Sequence, residues 1–286
     1  MKLRVFVFCY LVLSSSLLVA ETSLWAVSKN NTKIFLGGTV HVLSASDYPL
    51  PAAFEQAYQQ ASRLVFETDI TQVNSLGFQQ RMMAATIYTD GRTLRSELSA
   101  STWLKLEQYC ARVDFPLSDI QLFKPGMASL ILTIYELDRL GMADTGVDSY
   151  FYQQALVDSK TLGQLETPEQ QLAFIATLGA GQEDELMLST IRDMQELPDM
   201  MTALKAAWRT GDTQALEALG LVPMQQDFPA LYKSLVLNRN LAWLPKIEAM
   251  LATPEVELIL VGALHLVGED GLLEQLSRRG YNIQSL

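Results

Sequence analysis

The stretch LILVGALH at residues 258–265 runs from four apolar residues into a glycine and reaches a histidine three positions later. A second stretch, IFLGGTVH at residues 34–41, repeats this arrangement near the start of the chain. Short apolar runs that end at glycine predict buried strands, and glycine lets the backbone turn tightly or approach a ligand. We therefore predict that His41 and His265, the only two histidines, lie at the carboxyl ends of strands in one sheet, where open α/β sheets bind ligands.

Other strand signals lie towards both ends of the chain. Residues 24–28 and 63–67 predict further early strands, and a last short strand is expected around residues 281–283. Between about residues 77 and 252 the pattern is mostly helical, and no linker rich in Gly, Ser or Pro divides the chain. We predict one domain over residues 21–286 with an α/β (α+β) fold. Its mixed sheet is built from both chain ends, and a large helical insertion fills the middle.

The first twenty residues have the layout of a secretory signal peptide. Lys2 and Arg4 precede an apolar run from Val5 to Val19, and Ala20 offers a small residue for cleavage. An uncleaved anchor helix is the alternative, although the run is short for a membrane span. We expect a periplasmic or secreted protein that has no stable membrane span after cleavage.

Composition limits the classes of function. The 286 residues are 49% hydrophobic and carry 21 basic and 32 acidic side chains, so the formal net charge is −11. Nucleic acid is an unfavourable partner, because binding phosphates needs clustered Lys and Arg. With only two cysteines and two histidines, the sequence predicts neither a disulfide scaffold nor a zinc finger. Once the signal peptide is removed, Cys110 would be the only cysteine.

Acidic and basic candidates accompany the two histidines. Glu67 ends the apolar run VF at residues 65–66, and Asp69 follows two positions later. Glu67 is the preferred site residue of the two, with a solvated acidic turn as the alternative. Arg239 lies on a predicted helix, where it could hold a carboxylate or stabilise an oxyanion; a surface salt bridge is the alternative.

Two imidazoles and one carboxylate allow two kinds of chemistry. As ligands of a divalent metal, His41, Glu67 and His265 would leave positions open for a water that becomes acidic enough to attack a carbonyl. Without a metal, the same groups would act as a general base and an orienting acid. The residues alone leave both open.

These motifs resemble those of the TraB/GumN family, a group that includes the Tiki proteins of animals. The resemblance spans nearly the whole mature chain, and its strongest part runs from Gly262 to Tyr281. The other matching pieces are Gly38–His41, Glu67–Asp69, Gly146–Asp148, Lys160, Leu165–Thr167, Glu169–Gln170 and Arg239–Asn240.

The resemblance implies a secreted or membrane-associated metal-dependent peptidase that acts on a peptide or protein. His41, Glu67 and His265 would be both its metal ligands and its catalytic groups, with manganese or cobalt favoured over zinc, and Arg239 would assist catalysis. The related erythromycin esterases and haem-binding ChaN proteins imply two alternatives. One is a metal-independent esterase-like hydrolase, and the other is a protein that binds haem or a peptide without turnover. The resemblance leaves the roles of Asp148 and Glu166 open, and Leu264 replaces the more usual glycine before the second histidine.

Overall fold

The computed structural model describes residues 22–142 and 144–286. Its main sheet has six strands. In chain order the eight strands are β1 (Leu24–Lys29), β2 (Thr32–Thr39), β3 (Val42–Leu43), β4 (Arg63–Phe66), β5 (Asp144–Thr145), β6 (Thr161–Gln164), β7 (Glu257–Gly262) and β8 (Asn282–Ser285). The short strands β3 and β5 form a separate antiparallel pair.

The order of strands in the main sheet is β6-β4-β7-β2-β1-β8. Strands β6, β4, β7 and β2 run parallel to one another, whereas β1 is antiparallel to both β2 and β8. Strand β7 lies in the centre and is fully apolar from Leu258 to Val261, which suits a strand buried on both faces. The carboxyl ends of four adjacent strands therefore meet along one edge of the sheet.

Fourteen α-helices are present in the described part of the chain. They are α1 (Ala52–Gln60), α2 (Ile70–Val73), α3 (Leu76–Thr86), α4 (Leu94–Glu97), α5 (Ala100–Val113), α6 (Pro125–Arg139), α7 (Val147–Val157), α8 (Pro168–Thr177), α9 (Glu183–Thr210), α10 (Thr213–Leu216), α11 (Val222–Asp227), α12 (Pro229–Tyr232), α13 (Asn238–Leu251) and α14 (Leu272–Arg278). Two π-helical segments, Glu217–Leu221 and Lys233–Leu237, join α10 to α11 and α12 to α13.

Local sequence signals account for several helix ends. The Thr167 side chain accepts from the backbone N–H of Gln170, whose own side chain accepts from the N–H of Thr167, so a capping box starts α8. The 28-residue helix α9 ends at Gly211, which has a φ of 64°. A side chain there would be strained and would also overlap the Thr22 carbonyl.

The buried side chains form two clusters. The first surrounds the main sheet and includes Leu36, Trp208 and Trp243, together with most of β7. The second lies among α4, α5, α6 and α9 and includes Leu106 and Leu132. The first cluster fixes the sheet on which the histidines stand, and the second holds the helical middle together.

The predicted α/β fold is confirmed, with strands at both chain ends and helices dominating the middle. Strand β6 differs from the expectation, because it comes from within residues 77–252 and forms an edge of the main sheet. The predicted signal peptide, residues 1–20, lies outside the described residues, and the single domain stays a prediction. Within residues 22–142 and 144–286, no helix is long and apolar enough to cross a membrane.

Candidate active site at the ends of four parallel strands

Four adjacent strand ends each deliver a polar side chain to the same edge of the sheet. His41 follows β2, and Glu67 directly follows β4. His265 lies on a 3₁₀ turn, Ala263–His265, that directly follows β7, and Glu166 lies two residues beyond β6. Register explains the approach of the histidines, since Thr39 of β2 pairs with Gly262 of β7.

Three of these side chains converge above Gly262. A methyl group built on this glycine would lie 3.3 Å from Glu67 Oε1 and 3.7 Å from both His41 Nε2 and His265 Cδ2. The glycine of the second Gly-x-x-His motif therefore forms an open floor beneath the site, and any larger residue would intrude among these groups.

His41 forms a hydrogen-bonded pair with Asp148. The His41 Nδ1 atom lies 2.9 Å from Asp148 Oδ2, at the start of α7. Gly146 makes this approach possible, because a Cβ at that position would overlap the backbone carbonyl of His41. The Val147 N–H also donates to the Val40 carbonyl at 3.1 Å. The Gly146–Asp148 segment is thus held against the His41 backbone, and Asp148 orients the imidazole.

The two histidines have opposite electrostatic environments. The negative charge of Asp148 raises the pKa of His41 to about 9, and 67% of the His41 side chain is exposed. Burial lowers the pKa of His265 to about 4, because its side chain is only 8% exposed and the neighbouring Arg239 and His41 oppose a further positive charge. His41 is therefore the accessible imidazole, and His265 is neutral at neutral pH.

Asn240 fixes the protonation of His265. Its Nδ2 donates to the carbonyls of His265 and Asp270 at 3.0 and 2.9 Å, so its Oδ1 must face the imidazole. That oxygen lies 2.7 Å from His265 Nδ1, which consequently carries the proton. The Nε2 lone pair is left to accept from Arg239 Nη1 at 3.1 Å.

Arg239 occupies the centre of the buried cluster. Its Nε and Nη2 donate to the two oxygens of Glu166 at 3.0 and 2.7 Å, and Nη2 also donates to Glu67 Oε2 at 2.5 Å. Nη1 donates to the Leu235 carbonyl as well as to His265. All three guanidinium nitrogens are thus bound to protein groups, with the Trp243 ring 4.7 Å from the guanidinium carbon.

Glu67 is ionised and fully engaged. Burial raises the pKa of its carboxyl, but the neighbouring positive charges and the Gly262 N–H outweigh burial, so its pKa falls well below the ordinary value. The Gly262 N–H donates to Oε1 at 2.7 Å, while Arg239 donates to Oε2. Glu67 therefore has little capacity left to act as a proton acceptor.

A cavity of about 330 Å³ opens beside His41. Asp148, Ser149, Asn74 and Gln171 also line it, and together they supply hydroxyl and amide groups. Its size is that of a small-molecule or side-chain pocket. Leu264, which replaces the glycine more usual in the family resemblance, packs against Gly220 and lines a different groove.

The donor arrangement does not fit a resident divalent metal. His265 Nε2 and both oxygens of Glu67 already bind protein donors, and the Arg239 guanidinium stands between these groups. In the part of the chain that the structure describes, no group of three or more His, Cys, Asp or Glu side chains is placed to hold a metal ion. The predicted ligands His41, Glu67 and His265 come together above Gly262. Arg239 binds Glu67 and His265, however, and His41 pairs with Asp148.

Comparison with known proteins identifies the family of this chain. The model of the TraB/PrgY/gumN family matches residues 23–285, from the first strand to the last. The chain belongs to the TraB/PrgY/gumN family. Two relatives, each called uncharacterized protein YbaP, come from Escherichia coli (strain K12) and Shigella flexneri. Both are 25% identical over 251 residues, covering 86% of this chain and 88% of theirs. No solved structure matches the chain significantly.

Several residues of this TraB/PrgY/gumN protein have positions that the sequence did not predict. Asp148 and Glu166, whose roles were open, contact His41 and Arg239. Asp69 instead caps α2 by accepting from the Gln72 N–H, and Lys160 donates to the Tyr58 and Ala61 carbonyls at the end of α1.

Asn240 is the site residue that sequence reasoning missed. Two signals could have found it: its position next to Arg239 on a predicted helix, and its place in the Arg239–Asn240 piece that the family resemblance includes. Trp243 also donates to Glu166 Oε2 at 3.2 Å, and its ring centroid lies 4.5 Å from that of His265.

Proposed function

We propose that this protein is a hydrolase that cleaves an ester or amide bond by side-chain acid–base chemistry, with His41 as the general base. The observation that carries the proposal is the His41–Asp148 pair, which combines an oriented imidazole, a largely exposed side chain and an adjoining cavity. A base held by a carboxylate and open to substrate is the arrangement that general-base catalysis requires.

In this mechanism His41 removes a proton from a water molecule in the cavity. The water then attacks the substrate carbonyl, and the imidazolium returns the proton to the leaving oxygen or nitrogen. Asp148 accepts from Nδ1–H, keeps Nε2 directed at the water and stabilises the imidazolium that forms. Because Asp148 raises the pKa of His41, the basic form becomes abundant only in alkaline solution, and the rate should rise with pH.

Arg239 acts through other residues in this mechanism. Its contacts with Glu67 and His265 fix the floor of the site, and Glu166 holds the guanidinium by a two-point contact. We assign Arg239, Glu67 and His265 to positioning, because their polar atoms are occupied by one another.

A metal-dependent peptidase is the alternative that the family resemblance implies. Such an enzyme would also attack a substrate carbonyl. However, Arg239 forms hydrogen bonds with His265 and Glu67, and its positive charge opposes the binding of a metal cation by these two residues. The metal-free reaction therefore has the stronger support. A peptide or protein substrate and a periplasmic or secreted location remain part of the proposal.

The test is turnover of chromogenic substrates by the full chain in the presence of a chelator. A panel of p-nitrophenyl esters and peptide p-nitroanilides covers both bond types. We expect His41→Ala to lower kcat/KM by about 100-fold or more and Asp148→Asn to lower it by about tenfold or more. Asp138→Asn, an exposed carboxylate elsewhere, should leave the rate unchanged.

Each contrary result has a defined meaning. Turnover that the chelator abolishes and manganese or cobalt restores would overturn the metal-free mechanism in favour of the metallopeptidase. Stoichiometric binding of haem or a peptide with no turnover on either bond type would favour the binding protein.

A further inference from the structure

A long groove lies between α9 and the helices α11 and α12, outside the candidate active site. Its volume is about 950 Å³, and its lining is mostly apolar. On α9 the lining extends from Leu186 to Leu204, which at the helical rise corresponds to about 27 Å. Met224 and Leu231 form part of the opposite wall. The dimensions suit an elongated chain better than a compact small molecule.

The rim of this groove is strongly acidic. Asp193, Glu196, Asp199 and Asp227 line it, against a single cation, Arg192. Arg192 is bound to Asp193 at 3.0 Å and to Asp227 at 3.2 Å. Among the described residues, Glu196 and Asp199 form no ion pair. Two carboxylates along the groove are therefore left for a positively charged partner.

From this combination we infer that the groove binds an amphipathic helical peptide segment. Its apolar side chains lie on one face and its basic side chains on the other. The apolar face of such a segment packs against the apolar floor of the groove, as is common in helix-in-groove recognition. The unpaired rim carboxylates select lysine or arginine and repel acidic peptides. This binding is independent of the hydrolysis proposed above, because it uses none of the same side chains.

The groove ends next to the second Gly-x-x-His turn. Leu264 is part of the lining and precedes His265 directly, and its side chain packs on Gly220 of the π-helical segment. A bound peptide would therefore cover Leu264. Hydrogen exchange at Leu264 therefore reports whether the groove is occupied, independently of the measured affinity.

The experiment measures binding of synthetic 18-residue peptides to the full chain by fluorescence anisotropy. The probe peptide has leucines at helical spacing on one face and lysines elsewhere. One comparison peptide replaces lysine by glutamate, and another replaces leucine by serine. We expect only the leucine–lysine peptide to bind, and we expect bound peptide to slow amide hydrogen exchange at Leu264.

The protein variants separate the groove from the overall negative charge. Glu196→Lys with Asp199→Lys should weaken binding at least tenfold. Glu107→Lys with Asp138→Lys changes the net charge equally on exposed positions outside the groove and should weaken it less than threefold.

Three results would overturn the inference. Equal weakening by the two variant pairs would mean that binding depends only on the net charge. Equal binding of the serine–lysine peptide would exclude the apolar floor, and no binding of the leucine–lysine peptide would exclude the site.

Discussion

Asp148→Asn should separate the electrostatic contribution of Asp148 from the rest of the site. The substitution keeps the shape of the side chain and removes its negative charge, which raises the pKa of His41 to about 9. Two thirds of the His41 side chain is exposed, so water screens the pair. We therefore expect the substitution to lower the pKa of His41 by about one to two units towards the ordinary value near 6.5.

The assay is a pH titration of the histidine side chains by long-range ¹H–¹⁵N NMR. Only two histidines are present in the sequence, so two sets of signals are expected. His41 should titrate above pH 6.5 in the wild type. His265 should stay neutral down to about pH 4, with its proton on Nδ1, because burial lowers its pKa and Asn240 accepts from that nitrogen.

Asp69→Asn is the matched control, since it removes a nearby carboxylate that caps α2. This substitution should leave the pKa values of His41 and His265 unchanged. A wild-type His41 that titrates at or below 6.5, or a shift with Asp69→Asn as large as with Asp148→Asn, would refute the assigned pair. A His265 signal with its proton on Nε2 would refute the arrangement around Asn240.

Three further predictions follow from buried contacts. Asn240→Ala removes the hydrogen bonds of Asn240 to His265 and to the Asp270 carbonyl. It should lower the free energy of unfolding, measured by urea denaturation, by about 3 kcal/mol. A loss below about 1 kcal/mol would contradict these hydrogen bonds. Gly146→Ala should destabilise the chain by about 2 kcal/mol, since its Cβ would overlap the His41 carbonyl, and an unchanged melting point would mean that the segment is held elsewhere. Because the pKa of His265 is lowered in the folded state, the unfolded chain binds an extra proton between about pH 6.5 and 4. Stability should therefore fall as the pH is lowered through this window, and replacing His265 by Gln should flatten the dependence.

The sequence predicted the central part of the fold because its strands are strongly apolar and end at glycine. Both Gly-x-x-His frames and Glu67 directly follow such strands, so their approach follows from parallel pairing in one sheet.

The edge strand β6 was missed for a physical reason. Its four residues, Thr161–Gln164, are partly or fully exposed and include a glycine, so they form no apolar run. An edge strand that pairs on one side gives a weak hydrophobic signal. Without this strand, the role of Glu166 stayed open.

Contacts between distant segments account for the other residues that were not predicted. Asp148 meets His41 only because Gly146 permits a close backbone approach. Asn240 meets His265 only because α13 lies against the turn that follows β7. Neither approach leaves a period or a spacing in the sequence, and so the sequence alone does not distinguish the arginine-centred arrangement from a metal site.

The central claim is that His41 and Asp148 work without a metal bound to His41, Glu67 and His265. The most direct measurement is the melting point of the chelator-stripped full chain, titrated with manganese, cobalt and zinc, beside His41→Ala and His265→Ala. We expect no metal-dependent stabilisation of the wild type that both substitutions abolish. Stabilisation by one of these metals, lost in both variants, would contradict it and establish a shared metal site.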